Sequence, residues 1–354
     1  MNQGTGMVKN RFAFLDGIRG VAAILVLMRH TQPMWGFNFF HSFLAVDLFF
    51  ILSGFVIAHS YASRMDAGEI TPRKFLALRF IRLYPMYILA LGIAMALSFA
   101  KLIVGSEGAP QSILGLMVVI SLNAMFLPSR LTGSDYLFPV NSPSWSLFFE
   151  MIANIVYAIL QRFISNKVLC FIVALAAIGV GYSSHLKYGL DLGYTWGAES
   201  FFGGISRSIF GFFSGVLIYN NHEKILSRVK IKATPWIGFF GAMVVMMLPK
   251  SQVHNDVVDV FLVIVALPLF TLFMVQQSNS RIVPFLLVLG ASSYPLYVLH
   301  VPISMIVLHL IKSHPYAPYS GIIFTTMLVM ICVFLERKID MPLRKWMVSK
   351  LINV

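Results

Sequence analysis

Residues 84–127 read YPMYILALGIAMALSFAKLIVGSEGAPQSILGLMVVISLNAMFL, two apolar runs, 84–104 and 111–127, separated by a short polar break. Whether both cross a bilayer decides the fold. A crossing helix needs about 20 apolar residues to cover ~30 Å of hydrocarbon, and the second run is marginal. The flanking charges decide the matter, because Lys and Arg concentrate in cytoplasmic loops. Before the stretch, Lys9 and Arg11 put the N-terminus inside, the uncharged loop 32–41 lies outside, and 63–83, with Arg64, Arg73, Lys74, Arg79 and Arg82, lies inside. Working back from the C-terminus, Arg337, Lys338, Arg344 and Lys345 lie inside, as do Arg281, then Lys224, Arg228, Lys230 and Lys232, then Arg162 with Lys167. Alternation then places 128–143 outside, so 84–127 starts inside, ends outside and crosses once. One of its two runs is peripheral, re-entrant or half of a broken span.

The remaining apolar runs lie at about 16–35, 42–62, 144–161, 167–183, 200–219, 233–248, 257–276, 290–311 and 318–336. With one crossing from 84–127 the expectation is all-α: a polytopic membrane protein of about ten transmembrane helices, both termini cytoplasmic. Lys187 and Lys250 dissent, both falling in loops assigned to the outside. Composition agrees: 58% hydrophobic against 12% charged residues, with mean hydropathy +0.80, where a soluble domain is about half apolar and a quarter charged. The runs are continuous rather than alternating, which argues against a β-barrel. A net charge of +13 follows from the loop bias, and no basic–aromatic pattern points to nucleic acid. Cys170 and Cys332 fall in apolar runs and read as small packing residues, not as a disulfide or metal site. The first run lacks a small-residue cleavage signal and reads as a retained helix. Residues 1–354 read as a single membrane domain with short cytoplasmic ends at about 1–13 and 338–354.

An ionisable side chain in mid-bilayer costs about 2.5–3.5 kcal/mol even on lenient scales, so each one here is a candidate for function. In FLDGIRGVAAILVLMRH (14–30), Arg19 and His30 are eleven residues apart. That is about 20° from three full helical turns, with ~16 Å of rise between them. They share a face; Asp16 is placed for an i,i+3 pair with Arg19, and Arg29 points off that face as a structural residue. In RFIRLYP (79–85), Arg79 and Arg82 sit at i,i+3, a spacing that suits phosphate and also suits a plain positive-inside flank. In SPSWSLFFE (142–150), Ser146 and Glu150 are i,i+4 near the start of a helix entering from outside; Glu150 needs a partner such as Arg207 or a wet cavity. In SSYPLYVLHVP (292–302), two prolines interrupt the helix around Tyr294 and His300, the latter a second site imidazole or a satisfied buried histidine. Asp47 is placed to pair with Arg29 or His30, and Arg207 is a lone charge that needs an anion.

These motifs, in this order along essentially the whole chain, resemble the acyltransferase-3 family of integral membrane acyltransferases. Arg19 and His30 match its arginine–ten residues–histidine signature, and AVDLFFILSGFVIA its second-helix signature. Arg79 and Arg82 match its paired arginines, Ser146 and Glu150 its Trp-Ser-Leu motif, and SSYPLYVLHVP its late Tyr-Leu-His motif. The resemblance implies a ten-helix fold in a bacterial cytoplasmic membrane. It also implies transfer of an acyl group, usually acetyl, from cytoplasmic acetyl-CoA to a sugar hydroxyl of a surface or exported glycan or its lipid-linked precursor, with no metal. Two-part relatives carry an added extracytoplasmic hydrolase-like domain; this chain reads as the stand-alone form. In that frame Arg19, Arg79 and Arg82, braced by Asp16, face the donor phosphates. His30 is the base or the transient acyl carrier, because imidazole titrates near neutrality. Glu150 and Ser146 orient the acceptor or polarise His30. Asp47, Arg207, His300 and Tyr294 support them. The lipid bilayer and the saccharide are the expected partners, and homo-oligomerisation is left open. A transporter of a small anion or lipid-linked sugar is the alternative, since buried charges and broken helices suit transport too; the lack of an inverted repeat speaks against it.

Overall fold

The computed structural model describes residues 12–105, 110, 112–130, 134–229, 231, 234–249, 255–276, 280–311 and 316–352. Lys9, Arg11, Lys230, Lys232 and Lys250 lie outside them. The helices are α1 (Ala13–His30), the single turn α2 (Gln32–Trp35), α3 (Ala45–Asp66), α4 (Pro72–Val104), α5 (Ile113–Ala124), α6 (Ser144–Leu160), α7 (Asn166–Lys187) and α8 (Ala198–Leu226). There follow α9 (Thr234–Met247), α10 (Asn255–Phe261), α11 (Leu267–Met274), α12 (Val283–Leu310), α13 (Tyr319–Leu335) and α14 (Met341–Leu351). Short π-helical turns join α10 to α11 and α13 to α14. Among the described residues eight helical stretches are long and apolar enough to cross a membrane. The 18-residue α1, with Asp16, Arg19 and Arg29, falls outside that set, and α9 is a shorter apolar helix of 14 residues. The chain is an all-α polytopic membrane protein.

The stretch 84–127 resolves as its charges require. Its first run belongs to α4, 33 residues and ~50 Å long, whereas α5 has 12 residues and spans ~18 Å, too short to cross. α5 folds back on α4: Tyr87 donates to the Asn123 carbonyl at 2.5 Å, and the Tyr87 and Phe126 rings stack with centroids 4.1 Å apart. α4 starts earlier than its apolar run, at Pro72, where the Thr71 hydroxyl accepts from the Lys74 amide at 3.2 Å. A capping threonine followed by proline is a strong start signal, so RFIRLYP is helix and not loop.

Two pairs of parallel helices hold the centre. Along α1 and α12 the backbones touch through glycines: a Cβ on Gly20 would meet the Leu289 carbonyl oxygen at 2.5 Å, and one on Gly290 the Asp16 carbonyl oxygen at 2.7 Å. Along α3 and α8, Gly54 sits against the Phe212 carbonyl and Gly215 against that of Ile51. Small residues permit this approach where lipid gives helices little other reason to associate. Asp16 at Gly290 and His30 at His300 make α1 and α12 run the same way, in line with the alternation of loop charge. Lys187, one of the dissenters, is matched by Glu199 at 2.9 Å. Cys332 is buried as expected; Cys170 is instead exposed on α7.

Candidate active site

Three spaces run through the bundle and share walls. The first is a vestibule of about 910 Å³ between α1, α4, α12 and α14, with Arg19, Arg82, Arg337, Arg344 and Lys345 in its lining against Asp16 and Glu336. The second is a buried chamber of about 130 Å³ lined by Arg19, Arg79, Arg82, Ser146, Glu150 and Tyr297, among others. Arg19 and Arg82 line both. The third is an outer chamber of about 240 Å³ that holds Arg29, His30, Trp145, Asp191, Tyr194 and Arg207. Tyr297 and Val46 line both it and the buried chamber.

The buried chamber carries excess positive charge, three guanidinium groups against one carboxylate. Glu150 Oε1 takes Arg79 Nη2 at 3.0 Å and the Ser53 hydroxyl at 2.6 Å. The expected partner for Glu150, Arg207, is elsewhere. Arg82 lies over the Tyr294 ring at 5.3 Å and reaches Asp340 at 3.4 Å, while the Tyr294 hydroxyl donates to the Leu83 carbonyl. Arg79 and Arg82 therefore have different partners and do not form one fork, though both reach the chamber. Arg19 and Asp16 stand 3.9 Å apart, a loose pair. The π-helical turn between α13 and α14 brings Glu336 and Asp340 to Arg344, at 2.5 and 2.9 Å.

At the partition, Ser146 Oγ and the Tyr297 hydroxyl are 2.7 Å apart, and Tyr297 also donates to the Pro143 carbonyl at 3.3 Å. Ser146 thus faces the arginine chamber and not His30. His30 is exposed to its own chamber, whereas His300 beneath it is fully buried. His300 Nδ1 lies 2.7 Å from the Tyr297 carbonyl and 3.2 Å from that of Leu296. Carbonyls only accept, so this nitrogen carries the proton and the Nε2 of neutral His300 is bare. That Nε2 is 3.3 Å from His30 Nδ1, which is also 2.9 Å from the Val26 carbonyl. His30 Nδ1 is then the donor, and its Nε2 is left free as an acceptor. Both readings of His300 hold at once: it is satisfied, and it belongs to the site.

Two sequence expectations are corrected here. Asp47 pairs with neither Arg29 nor His30 but with Arg207, in a two-point contact of 2.9 and 2.6 Å, both residues fully buried. Planar guanidinium matches planar carboxylate, which favours this partner in a dry interior. Arg207 also donates to the Leu192 carbonyl and lies over the Trp145 ring at 5.5 Å. Arg29 is not remote from the site: it lines the outer chamber, pairs with Asp191 and donates to the Phe40 carbonyl at 3.0 Å. The sequence reading also missed Tyr297, Asp191 and Trp145. Tyr297 had a signal, lying three residues before His300 on one helical face; Asp191, in an irregular outer loop, had none.

The description "acyltransferase domain" fits this chain over residues 12–336. The chain belongs to the acyltransferase-3 family. It is 40% identical over 176 residues to protein 2 in the picA locus of Rhizobium radiobacter, an alignment that covers 48% of this chain and 92% of that one. It is 32% identical over 132 residues to the exopolysaccharide production protein ExoZ of Rhizobium meliloti, covering 37% of this chain and 38% of ExoZ. No solved structure matches. As a member of the acyltransferase-3 family the chain is a multi-pass membrane acyltransferase. The motifs that carry the family resemblance line the three spaces, Arg19, Arg79, Arg82, Ser146 and Glu150 on one side of Tyr297 and His30 on the other.

Proposed function

We propose that this acyltransferase moves an acetyl group from cytoplasmic acetyl-CoA to a hydroxyl of an exported polysaccharide, or its lipid-linked precursor, in a bacterial inner membrane. One observation carries the reading: a cationic chamber and an imidazole-lined chamber share a wall at two side chains, Tyr297 and Val46. The donor phosphates are held at the vestibule and its neck by Arg19 and Arg82, with Arg79 deeper and Asp16 beside Arg19. The pantetheine arm brings the thioester toward Tyr297. A sugar hydroxyl enters from the outer chamber, and His30 Nε2 accepts its proton as the oxygen attacks the thioester carbonyl. The tetrahedral intermediate collapses with loss of the CoA thiolate, which takes that proton back from the imidazolium. His30 and the acceptor oxygen thus need no covalent acyl-enzyme. Glu150 and Ser146 act on the donor side: Glu150 orients Arg79, and Ser146 holds the Tyr297 hydroxyl. Asp47, Arg207, His300 and Tyr294 fix the groups that touch the substrates. The link to polysaccharide is supported by the name of ExoZ.

The test mixes purified protein in detergent, radiolabelled acetyl-CoA and the host's surface polysaccharide stripped of O-acetyl groups by mild alkali. Label on the polysaccharide with wild type and none with His30→Ala is the expected result. Label held stably on the protein would replace the base role with a covalent one. Three spaces in series also suit a transporter; uptake into sealed vesicles without acyl transfer in detergent would favour that reading.

A further inference from the structure

The two chambers differ in charge. In the outer one both guanidinium groups are already matched, Arg29 by Asp191 and Arg207 by Asp47. Its lining is otherwise aromatic, with Phe43, Tyr136, Trp145, Tyr194 and Tyr297, and polar at Ser142 and His30. A neutral space with flat apolar walls and a few fixed hydrogen-bonding groups selects a neutral polyhydroxyl ring. The ring's C–H faces lie on aromatic surfaces and its hydroxyls reach a carboxylate and an imidazole. An anion finds no unmatched cation here, and a lipid tail would strip water from the Arg29–Asp191 pair without replacing it.

The mouth of this chamber is built as well. The Tyr136 and Tyr194 rings stack with centroids 6.0 Å apart and planes 28° from parallel, and Tyr136 is exposed. Two loops hold them. The Leu137 amide donates to the Tyr194 carbonyl at 2.8 Å, and the Trp196 amide to the Asp135 carbonyl at 2.7 Å. Deeper in, Trp145 is boxed between the Arg207 guanidinium and Gly193, where a Cβ would meet the indole at 2.6 Å. Gly193 has φ +112°, a conformation that side chains rarely adopt.

We propose that the outer chamber is a subsite for one neutral sugar ring, and that Tyr136 and Tyr194 form a shelf for the next ring of the same chain. The acceptor is then a saccharide of at least two units, acetylated on a residue whose neighbour rests outside. Asp191 reads a hydroxyl of the inner ring. This deepens the acyl-transfer reading and rests on it.

The experiment compares two acceptors, the de-O-acetylated host polysaccharide and the free monosaccharides from its acid hydrolysis, with labelled acetyl-CoA. Saturation-transfer NMR with the same two probes and no donor reads binding alone. Wild type is expected to prefer the polymer in kcat/KM. The double variant Tyr136→Ala/Tyr194→Ala is expected to lower that preference about tenfold, the order expected for losing an aromatic contact. The double variant Tyr136→Phe/Tyr194→Phe keeps both rings and is expected to keep the preference. A preference unchanged in the Ala variant, or lost equally in the Phe variant, overturns the shelf. Saturation transfer to the polymer with no label transferred overturns acyl transfer while showing the shelf occupied, so the two readings fail separately.

Discussion

At the scale of single residues, the unit proposed to set the chemistry is an imidazole on an imidazole. His300 donates from Nδ1 to two backbone carbonyls and accepts from His30 at Nε2, which orients the His30 ring and leaves its Nε2 toward the outer chamber. His30→Ala should lower transfer about 10²–10⁴-fold, the range of a positioned base, with the protein still inserted. His300→Leu removes an acceptor but no reacting group; a loss of about tenfold in kcat with donor KM unchanged is expected. Combining the two should be no worse than His30→Ala alone, because interacting residues are not additive. Nitrogen-15 spectra of labelled histidine check the geometry directly, with His30 protonated at Nδ1 and bare at Nε2 at neutral pH. The face shared by Arg19 and His30 was legible from spacing alone. Which carboxylate met which arginine was not. Arg207 and Asp47 are 160 positions apart and Arg79 and Glu150 are 71 apart, and no local period encodes such a choice.

At the scale of elements, the sequence revealed crossings better than boundaries. Loop charge fixed the single crossing of 84–127, because orientation is set by flanks. It misplaced the start of α4, because an apolar-run criterion stops at the first charged residues, whereas Thr71 and Pro72 start the helix a turn and more before Arg79. The tie between α3 and α8 is expected to be unforgiving. Arg207→Leu leaves Asp47 buried without its cation, and such a loss costs about 3–5 kcal/mol. The double variant Asp47→Leu/Arg207→Leu should recover much of it, read as thermal unfolding in detergent. α14 carries a different expectation. Arg344 neutralises Glu336 and Asp340 at the vestibule wall. Arg344→Gln leaves Glu336 without its cation and Asp340 with Arg82 alone, so the vestibule should hold the donor's phosphates less well. Donor KM should rise about tenfold, roughly 1.4 kcal/mol, and the rise should shrink as salt is added.

At the scale of the whole molecule, the helix directions follow the loop charges, and orientation can be read from one face. A cysteine placed at Ser165, between α6 and α7, is expected to react only with membrane-permeant reagents in intact cells. One placed at Tyr188, after α7, should react with impermeant reagents as well. The opposite pattern would invert the molecule and with it the sides assigned to donor and acceptor. The helices were legible because they rest on composition summed over many residues. The three spaces were not, because each is a gap between helices distant in sequence.

Tyr297 has a consequence beyond this reaction. A wet corridor from vestibule to outer chamber, lined by arginines and histidines, would be a short circuit for the energised membrane. The phenol that Ser146 holds in place stands with Val46 between the two chambers, where it would act as the insulator in that circuit. An acyltransferase in an energised membrane must not leak protons along such a path. Cells that express Tyr297→Gly should lose membrane potential, measured with a voltage-sensitive dye, even when His30→Ala has already silenced the chemistry.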